Sequence, residues 1–275
     1  MKYIIKNPKE DYNDNCKENI FLAYDEDGND IGCAYVYPAI NHYQTYDYPF
    51  RLYFDVQVGM EVDDICDDTL REELYQCVLN RAKLIRKEKP DLKAKFYTGF
   101  VYDAEMMECL MKKGFDEDCT VVMRNDDIMK DCYTLSDAFK VREMSLKTSE
   151  EIDAYKTLYD QIFIRPLDKE LLAEAKNTVG FRCVEVLKSN EVIASCTLSI
   201  EDGIGYIDTM YVMPKHLGFS YGKVIMAVAL DYFSQQKVSA VELEVWRSNE
   251  RAVKLYESFG FTEVARNIMF PALEI

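Results

Sequence analysis

Between Val212 and Met226 the sequence reads VMPKHLGFSYGKVIM: a β-rich run stopped at Pro214, then Gly218, Ser220 and Gly222, then the start of an apolar helix. Such a turn aims several free main-chain N–H groups and the positive end of a helix dipole at one spot, and its glycines let the backbone approach an anion closely. A phosphate or pyrophosphate suits that arrangement; a glycine-rich corner between two core elements suits the same residues. The turn has neither Gly-Lys-Ser/Thr nor G-x-G-x-x-G, so the Walker and Rossmann loops are excluded.

The other groups capable of chemistry are few in kind. His42 and His216 are the two histidines, and neither has a cysteine or carboxylate at metal-ligand spacing, so no metal site is expected. Cysteine–histidine and serine–histidine–aspartate nucleophiles are equally hard to assemble, which leaves carboxylates, tyrosines and main chain. Among the carboxylates, Asp208 lies on the strand before the turn and Glu185 and Glu244 on other β-rich runs, and each reads equally as a solvated strand residue. The nine cysteines are odd in number and form no C-x-x-C pair, which reads as free thiols in a reducing cytoplasm.

Composition narrows the partners. The 275 residues are 48% hydrophobic with a formal net charge of −16. That charge opposes the phosphate attraction on which nucleic-acid binding depends, and favours a cationic small molecule or basic peptide. The opening MKYIIKNPKEDYNDN lacks the apolar core of a signal peptide, and no run is long enough to span a membrane, so no membrane partner and a cytoplasmic location are expected. Oligomeric state is not legible.

The elements that must position these groups fall into two halves. Apolar periodicity lapses over 128–138 and restarts at Phe139, predicting domains at 1–127 and 139–275 joined by a linker. The first half holds 16 Lys+Arg against 27 Asp+Glu and the second 17 against 22, so the halves carry −11 and −5. FVYDAEMMECLMKKGFDED from Phe100 and VWRSNERAVKLYESFGFTEV from Val245 superpose at a spacing of 146, taking Gly114-Phe115 onto Gly260-Phe261. Each half also has a hairpin, with turns at Asp27-Gly28 and Ser189-Asn190, and a long helix, expected over Thr69 to Glu88 and Gly222 to Gln236. The second half opens with two helices, one capped by Ser149 and one after Pro166. Its order is strand, two helices, three strands, helix, strand, helix, strand. The fold class is α+β, or α/β by some schemes: two similar domains in tandem, each a mixed, mostly antiparallel sheet flanked by helices.

The order around the turn resembles the acetyl-CoA-binding segment of the Gcn5-related N-acetyltransferase (GNAT) family, whose strand ends in V-x-P and leads into (Q/R)-x-x-G-x-(G/A). Val212, Pro214, Gly218 and Gly222 fit, whereas Leu217 stands where arginine is usual and Ser220 where glycine is usual. Downstream, the family pattern V-x-x-x-N-x-x-A-x-x-L-Y-x-x-x-G-F is met by Val245, Asn249, Ala252, Leu255, Tyr256, Gly260 and Phe261. The resemblance covers about 139–270, and 1–127 more weakly. It implies direct attack of an amine on acetyl-CoA as cosubstrate. Met210, Tyr211, Val212, Leu217, Gly218, Phe219, Ser220, Tyr221, Gly222, Lys223 and Asn249 would line the CoA site. An amide near Tyr211 or Val212 would hold the thioester carbonyl, Tyr256 would be the general acid, and a strand carboxylate would be the base, with Asp208 the leading candidate and Glu185 and Glu244 as others. With no cation at Leu217, CoA affinity below that of an arginine-bearing relative is expected, helped by Lys215 or Lys223. From the residues alone, Asn249 equally reads as a helix cap and Tyr256 as core packing.

The first half departs from the pattern. At the 146-residue offset Asp103 replaces Asn249 and Leu110 replaces Tyr256, and Asp63, Asp64, Asp67 and Asp68 stand where the cradle should be. Loss of CoA binding there is expected, with the aspartates either solvated or helping to attract a cationic acceptor. Two other functions fit the same resemblance: a non-catalytic acyl-CoA sensor or scaffold, and an aminoacyl transferase of the tandem cell-wall type. Residues Glu151 to Asn177, with Tyr155, Tyr159, Phe163 and Arg165, would shape the acceptor site.

Overall fold

In the computed structural model the chain is described over residues 2–43, 47–59, 68–128, 135–163 and 166–275. The first half runs β1 (Tyr3–Lys6), β2 (Ile20–Asp25), β3 (Asp30–Ile40), β4 (Phe50–Val58), α1 (Asp68–Lys87), β5 (Ala94–Tyr97), β6 (Phe100–Val101), α2 (Ala104–Lys112) and β7 (Cys119–Asn125). The second runs β8 (Phe139–Met144), α3 (Ser149–Ile162), α4 (Lys169–Ala175), β9 (Arg182–Lys188), β10 (Glu191–Glu201), β11 (Ile204–Val212), α5 (Tyr221–Gln236), β12 (Ala240–Trp246), α6 (Glu250–Glu257), β13 (Thr262–Met269) and β14 (Ala272–Glu274). The order expected for residues 139–270 is the order observed. Asp63, Asp64, Asp67, Arg165 and most of the expected linker lie outside the described residues, as does the side chain of Asp68.

Both sheets are mixed and share one plan. β1 to β4 form an antiparallel meander, and α1 then carries the chain over to β5, which lies parallel to β4. β8 to β11 form the second meander, and α5 carries the chain to β12, parallel to β11. A crossover of this length is what parallel neighbours require. The hairpin turns sit where expected: Gly28 at φ 86° between β2 and β3, and Ser189 and Asn190 at φ 51° and 65° between β9 and β10. Two successive positive φ values give the tight turn whose twist matches its flanking strands.

Each sheet takes in a strand from the other half of the sequence. β7 pairs antiparallel with β12, Val241 opposite Asn125 through Trp246 opposite Thr120. β14 pairs antiparallel with β5, Ala272 opposite Tyr97. The compact units are therefore residues up to 118 together with 269–275, and residues 119–268. They differ from the 1–127 and 139–275 read from sequence because a short strand closes whichever parallel edge it can pair with, and apolar patterning does not name the partner.

Each long helix buries a stripe against its own sheet. In α1 this is Leu70, Leu74, Val78, Ala82 and Ile85, facing Val36, Leu52 and Phe96. In α5 it is Ile225, Met226, Ala229, Leu230 and Phe233, all fully buried. Burial of a side chain of this size contributes about 1.5–3 kcal/mol. Gly205 on β11 makes room for the Phe233 ring, since a Cβ there would meet it at 2.5 Å. The opposite face of the second sheet is covered by α3 and α4 through Leu146, Tyr155, Ile162, Leu172 and Tyr211. The cap of α3 is Thr148 rather than Ser149: its hydroxyl accepts from the Glu151 amide, and the Glu151 carboxylate closes a capping box. The cap of α4 is Asp168. Among the described residues no helix is long and apolar enough to cross a membrane.

Candidate functional site

The chemistry-bearing residues of the second unit gather where its sheet splits. β11 is paired along its length with β10, as far as Val212 opposite Ala194. With β12 it is paired only from Ile204 to Ile207, opposite Ala240 to Leu243. Beyond Leu243, β12 continues beside β7, and among the described residues no strand pairs with Asp208 to Val212 on that edge. Amides along a strand point alternately to its two sides. The Met213 N–H donates to the Ile193 carbonyl at 2.8 Å, on the β10 side, so the Tyr211 amide points that way too. The amides of Met210 and Val212 then face the open edge.

Asp208 stands at an irregularity in this strand. Thr197 is opposite Thr209 and Leu198 opposite Ile207, leaving Asp208 as the extra residue of a β-bulge. The bulge turns two successive side chains to one face. The Ser199 hydroxyl donates to Asp208 Oδ1 at 3.0 Å, while Thr209 Oγ1 lies 2.6 Å from Thr197 Oγ1 and 3.3 Å from the Tyr155 hydroxyl. Asp208 remains open to solvent, yet protein crowds its carboxylate enough to push it up to about 6, opposed by the Ser199 hydroxyl and by its own amide. A carboxylate so placed accepts a proton near neutral pH.

At the end of β11 the chain makes the one-turn helix Pro214–His216 and enters α5. Gly218 and Ser220 both have positive φ, 88° and 60°. Ser220 occupies the cap position of α5, but its side chain makes no capping hydrogen bond. Among the described residues nothing accepts a hydrogen bond from the amides of Gly218 to Gly222; the next, that of Lys223, donates to the Ser220 carbonyl. Five successive unpaired donors at a helix start are groups of the kind that suit an anion. Gly222 is needed for close approach rather than for φ: a Cβ there would lie 3.0 Å from Leu255 and 4.0 Å from Val212. That contact seats α6, which carries Leu255 and Tyr256, against the end of β11 and the start of α5.

Tyr256 is 8% exposed, and its hydroxyl has no hydrogen-bond partner among the described residues. Burial alone pushes the phenol up to about 12, so it is a neutral donor at any working pH. Asn249 caps α6, its side chain accepting from the Ala252 amide at 3.3 Å. The repeat holds residue by residue: Asp103 caps α2 through the Met106 amide, Leu110 is buried like Tyr256, and Gly114 and Gly260 have φ of 91° and 85°. Phe115 and Phe261 each send their amide back to the carbonyl of Leu110 or Tyr256. The first unit thus keeps the frame of the motif without the phenol.

The remaining candidates separate. Glu185 is 4% exposed, and its Oε2 accepts from the Arg142 guanidinium in an ion pair. Glu244 is exposed and accepts from the Asn267 amide at 3.1 Å. Leu217 is half-buried, and Met210, Tyr211 and Val212 lie on β11 as described. Of the cations near the turn, Lys215 is bound by Glu191, whose other oxygen lies 3.5 Å from His216; Lys223 is exposed. Two features escaped the sequence reading. The bulge has no local signature, and Lys188, at the end of β9, donates to the Tyr221 hydroxyl at 3.0 Å.

Comparisons with known proteins bear on the same residues. Residues 144–261 match the family model described as Acetyltransferase (GNAT) family. The mycothiol acetyltransferase of Thermomonospora curvata is 36% identical over 69 residues, 25% of this chain and 23% of that protein. Its counterpart from Tsukamurella paurometabola is 31% identical over 68 residues, again 25% and 23%. These matches therefore span about a quarter of the relatives' length. A crystal structure of a GCN5-related N-acetyltransferase from Sphaerobacter thermophilus superposes with a TM-score of 0.51 at 14% identity, covering 99% of this chain and 95% of that one, which is a likeness of fold. Residues 144–261, within the second unit, are thus similar to acetyltransferases of the GNAT family.

Proposed function

We propose that the chain transfers an acetyl group from acetyl-CoA to a primary amine, on a small molecule or a peptide, by direct attack within a ternary complex. The observation that carries this reading is the alignment of unpaired donors along one strand and its turn: the open-edge amides of Met210 and Val212, then the five amides of Gly218 to Gly222. The first pair suits a thioester oxygen and the second set a diphosphate. Asn249, beside them at the start of α6, is committed to its cap.

Asp208 takes a proton from the bound ammonium, the freed amine forms its bond to the acetyl carbon, the carbon–sulfur bond breaks, and the second nitrogen proton passes to the departing sulfur. Tyr256 holds its proton toward the departing sulfur. A thiol has a pKa of about 8.5, so a phenol near 12 serves mainly by hydrogen-bonding the sulfur as negative charge builds. The products are the amide and free CoA, and no covalent enzyme intermediate is needed. The aromatic row Tyr155, Tyr159, Phe163 and Tyr211, with ring centroids 4.4–6.2 Å apart in sequence, borders Thr209 and gives the acceptor an apolar wall. The local likeness to mycothiol acetyltransferases supports the donor half of the reaction and leaves the acceptor to experiment. We propose further that the first unit is a degenerate copy that no longer holds CoA.

The test is release of free thiol from acetyl-CoA in the presence of a panel of primary amines. Release that depends on one class of amine supports the proposal. Tight CoA binding without release from any amine would favour a non-catalytic sensor.

A further inference from the structure

The turn before α5 lacks the cation that a diphosphate-binding loop would ordinarily carry, because Leu217 is apolar and Lys215 is neutralised by Glu191. We infer that Lys188, at the end of β9, supplies that cation from outside the turn, gripping the phosphates of a nucleotide-bearing ligand. The inference rests on the acyl-CoA reading above and names a residue which that reading does not contain.

Three observations converge on Lys188. Its ammonium donates to the hydroxyl of Tyr221, the first residue of α5, at 3.0 Å, which tethers it to the side chain of a residue whose amide is one of the unpaired donors. It lies 5.3 Å from the centre of the Tyr221 ring and 6.0 Å from that of Phe139, its cross-strand neighbour on β8, and those rings meet edge to face at 5.9 Å. Two aromatic faces hold a cation in place without neutralising it. No carboxylate pairs with it among the described residues: Glu191, its cross-strand neighbour on β10, is turned to Lys215 and His216. Beside these groups Phe219, 65% exposed, stacks on Tyr221 at 5.9 Å, offering a flat apolar surface that a purine base would cover. An uncompensated ammonium, a set of free amides and an exposed ring side by side match the phosphate and base of a nucleotide. A pantetheine arm needs none of them.

The location also explains how an acidic protein can hold a polyanion. With a net charge of −16 the general field repels such a ligand, so one local contact must outweigh it. A charge-assisted hydrogen bond from lysine to phosphate is strong enough to change affinity by roughly tenfold. Glu191 opposes that contact, and its removal would free Lys215 as a second cation.

The experiment measures equilibrium binding of CoA, of 3′,5′-ADP and of S-acetylpantetheine to the full chain and its variants. Lys188→Gln is expected to weaken CoA and 3′,5′-ADP by roughly tenfold and to leave S-acetylpantetheine unchanged. Lys188→Arg should retain most of the affinity, and Glu191→Gln should bind CoA at least as tightly as the parent. Lys237→Asn, which removes a charge at the far end of α5, controls for net charge and should bind as the parent does. Equal CoA affinity in Lys188→Gln and the parent overturns the role of Lys188 while leaving the acyl-CoA reading intact. A fall no larger than in Lys237→Asn also overturns it. Failure of the parent to bind either CoA or S-acetylpantetheine overturns both.

Discussion

Replacing Asp208 by asparagine separates catalysis from stability, because the two should move in opposite directions. The carboxylate titrates near 6 in the fold against 3.8 unperturbed, with crowding by protein as the main cause. A carboxyl raised in this way favours folding while protonated in both states. That contribution fades as pH rises from the unfolded value through the folded one, so above about pH 6 the charged group is a net burden on the fold. Asparagine keeps the shape and an acceptor oxygen for the Ser199 hydroxyl, and removes the charge. Thermal unfolding at pH 8 should therefore occur at the same temperature or higher. Turnover should fall by about 10²–10⁴, the usual contribution of a positioned base. In the parent, kcat/KM should rise about tenfold per pH unit below 6 and level off above it. The asparagine variant should lose that inflection. A lower melting temperature with turnover retained would show the aspartate to be a structural member of the bulge and refute the reasoning.

Three further outcomes follow from the geometry. Tyr256→Phe removes a buried hydroxyl with no partner in the protein, so stability should hold while turnover falls about 10- to 100-fold with little change in CoA affinity; an unchanged rate would show that the phenol does not face the leaving sulfur. Gly205→Ala drives a methyl to within 2.5 Å of the fully buried Phe233 ring and should cost about 1–3 kcal/mol in urea denaturation. Ala272→Asp places a carboxylate at a fully buried position on β14 and should speed amide hydrogen exchange in peptides covering β4 and β5; unchanged protection there would contradict the pairing of β14 with β5.

The parts of this molecule legible from sequence are those fixed by local chemistry. The repeat at a spacing of 146 appears in the structure as matched helix caps at Asp103 and Asn249 and matched left-handed glycines at Gly114 and Gly260, because each signal is set within a few residues. The hairpins at Gly28 and at Ser189-Asn190 were legible for the same reason. The α3 cap was displaced by one residue because Thr148 and Ser149 are both capable, and Glu151 three positions on selects Thr148. Long-range choices left no trace. Nothing in the pattern of Cys119–Asn125 says that its partner is β12, and the last strand is too short to announce itself. Asp208 was found as a candidate from its strand, but the bulge that re-aims it depends on a register shift against β10. The ion pair of Glu185 with Arg142 joins residues 43 apart, and Lys188 sits 33 residues from the tyrosine that it meets.

In the proposed complex, acyl-CoA lies along the open edge of β11 and over the start of α5. Hydrogen–deuterium exchange with and without acetyl-CoA tests it directly. Protection on ligand addition should concentrate in peptides spanning Met210 to Lys223 and extend to those spanning Asn249 to Tyr256. Protection confined to residues 50–58 and 104–112 of the first unit, with none in the second, would contradict it.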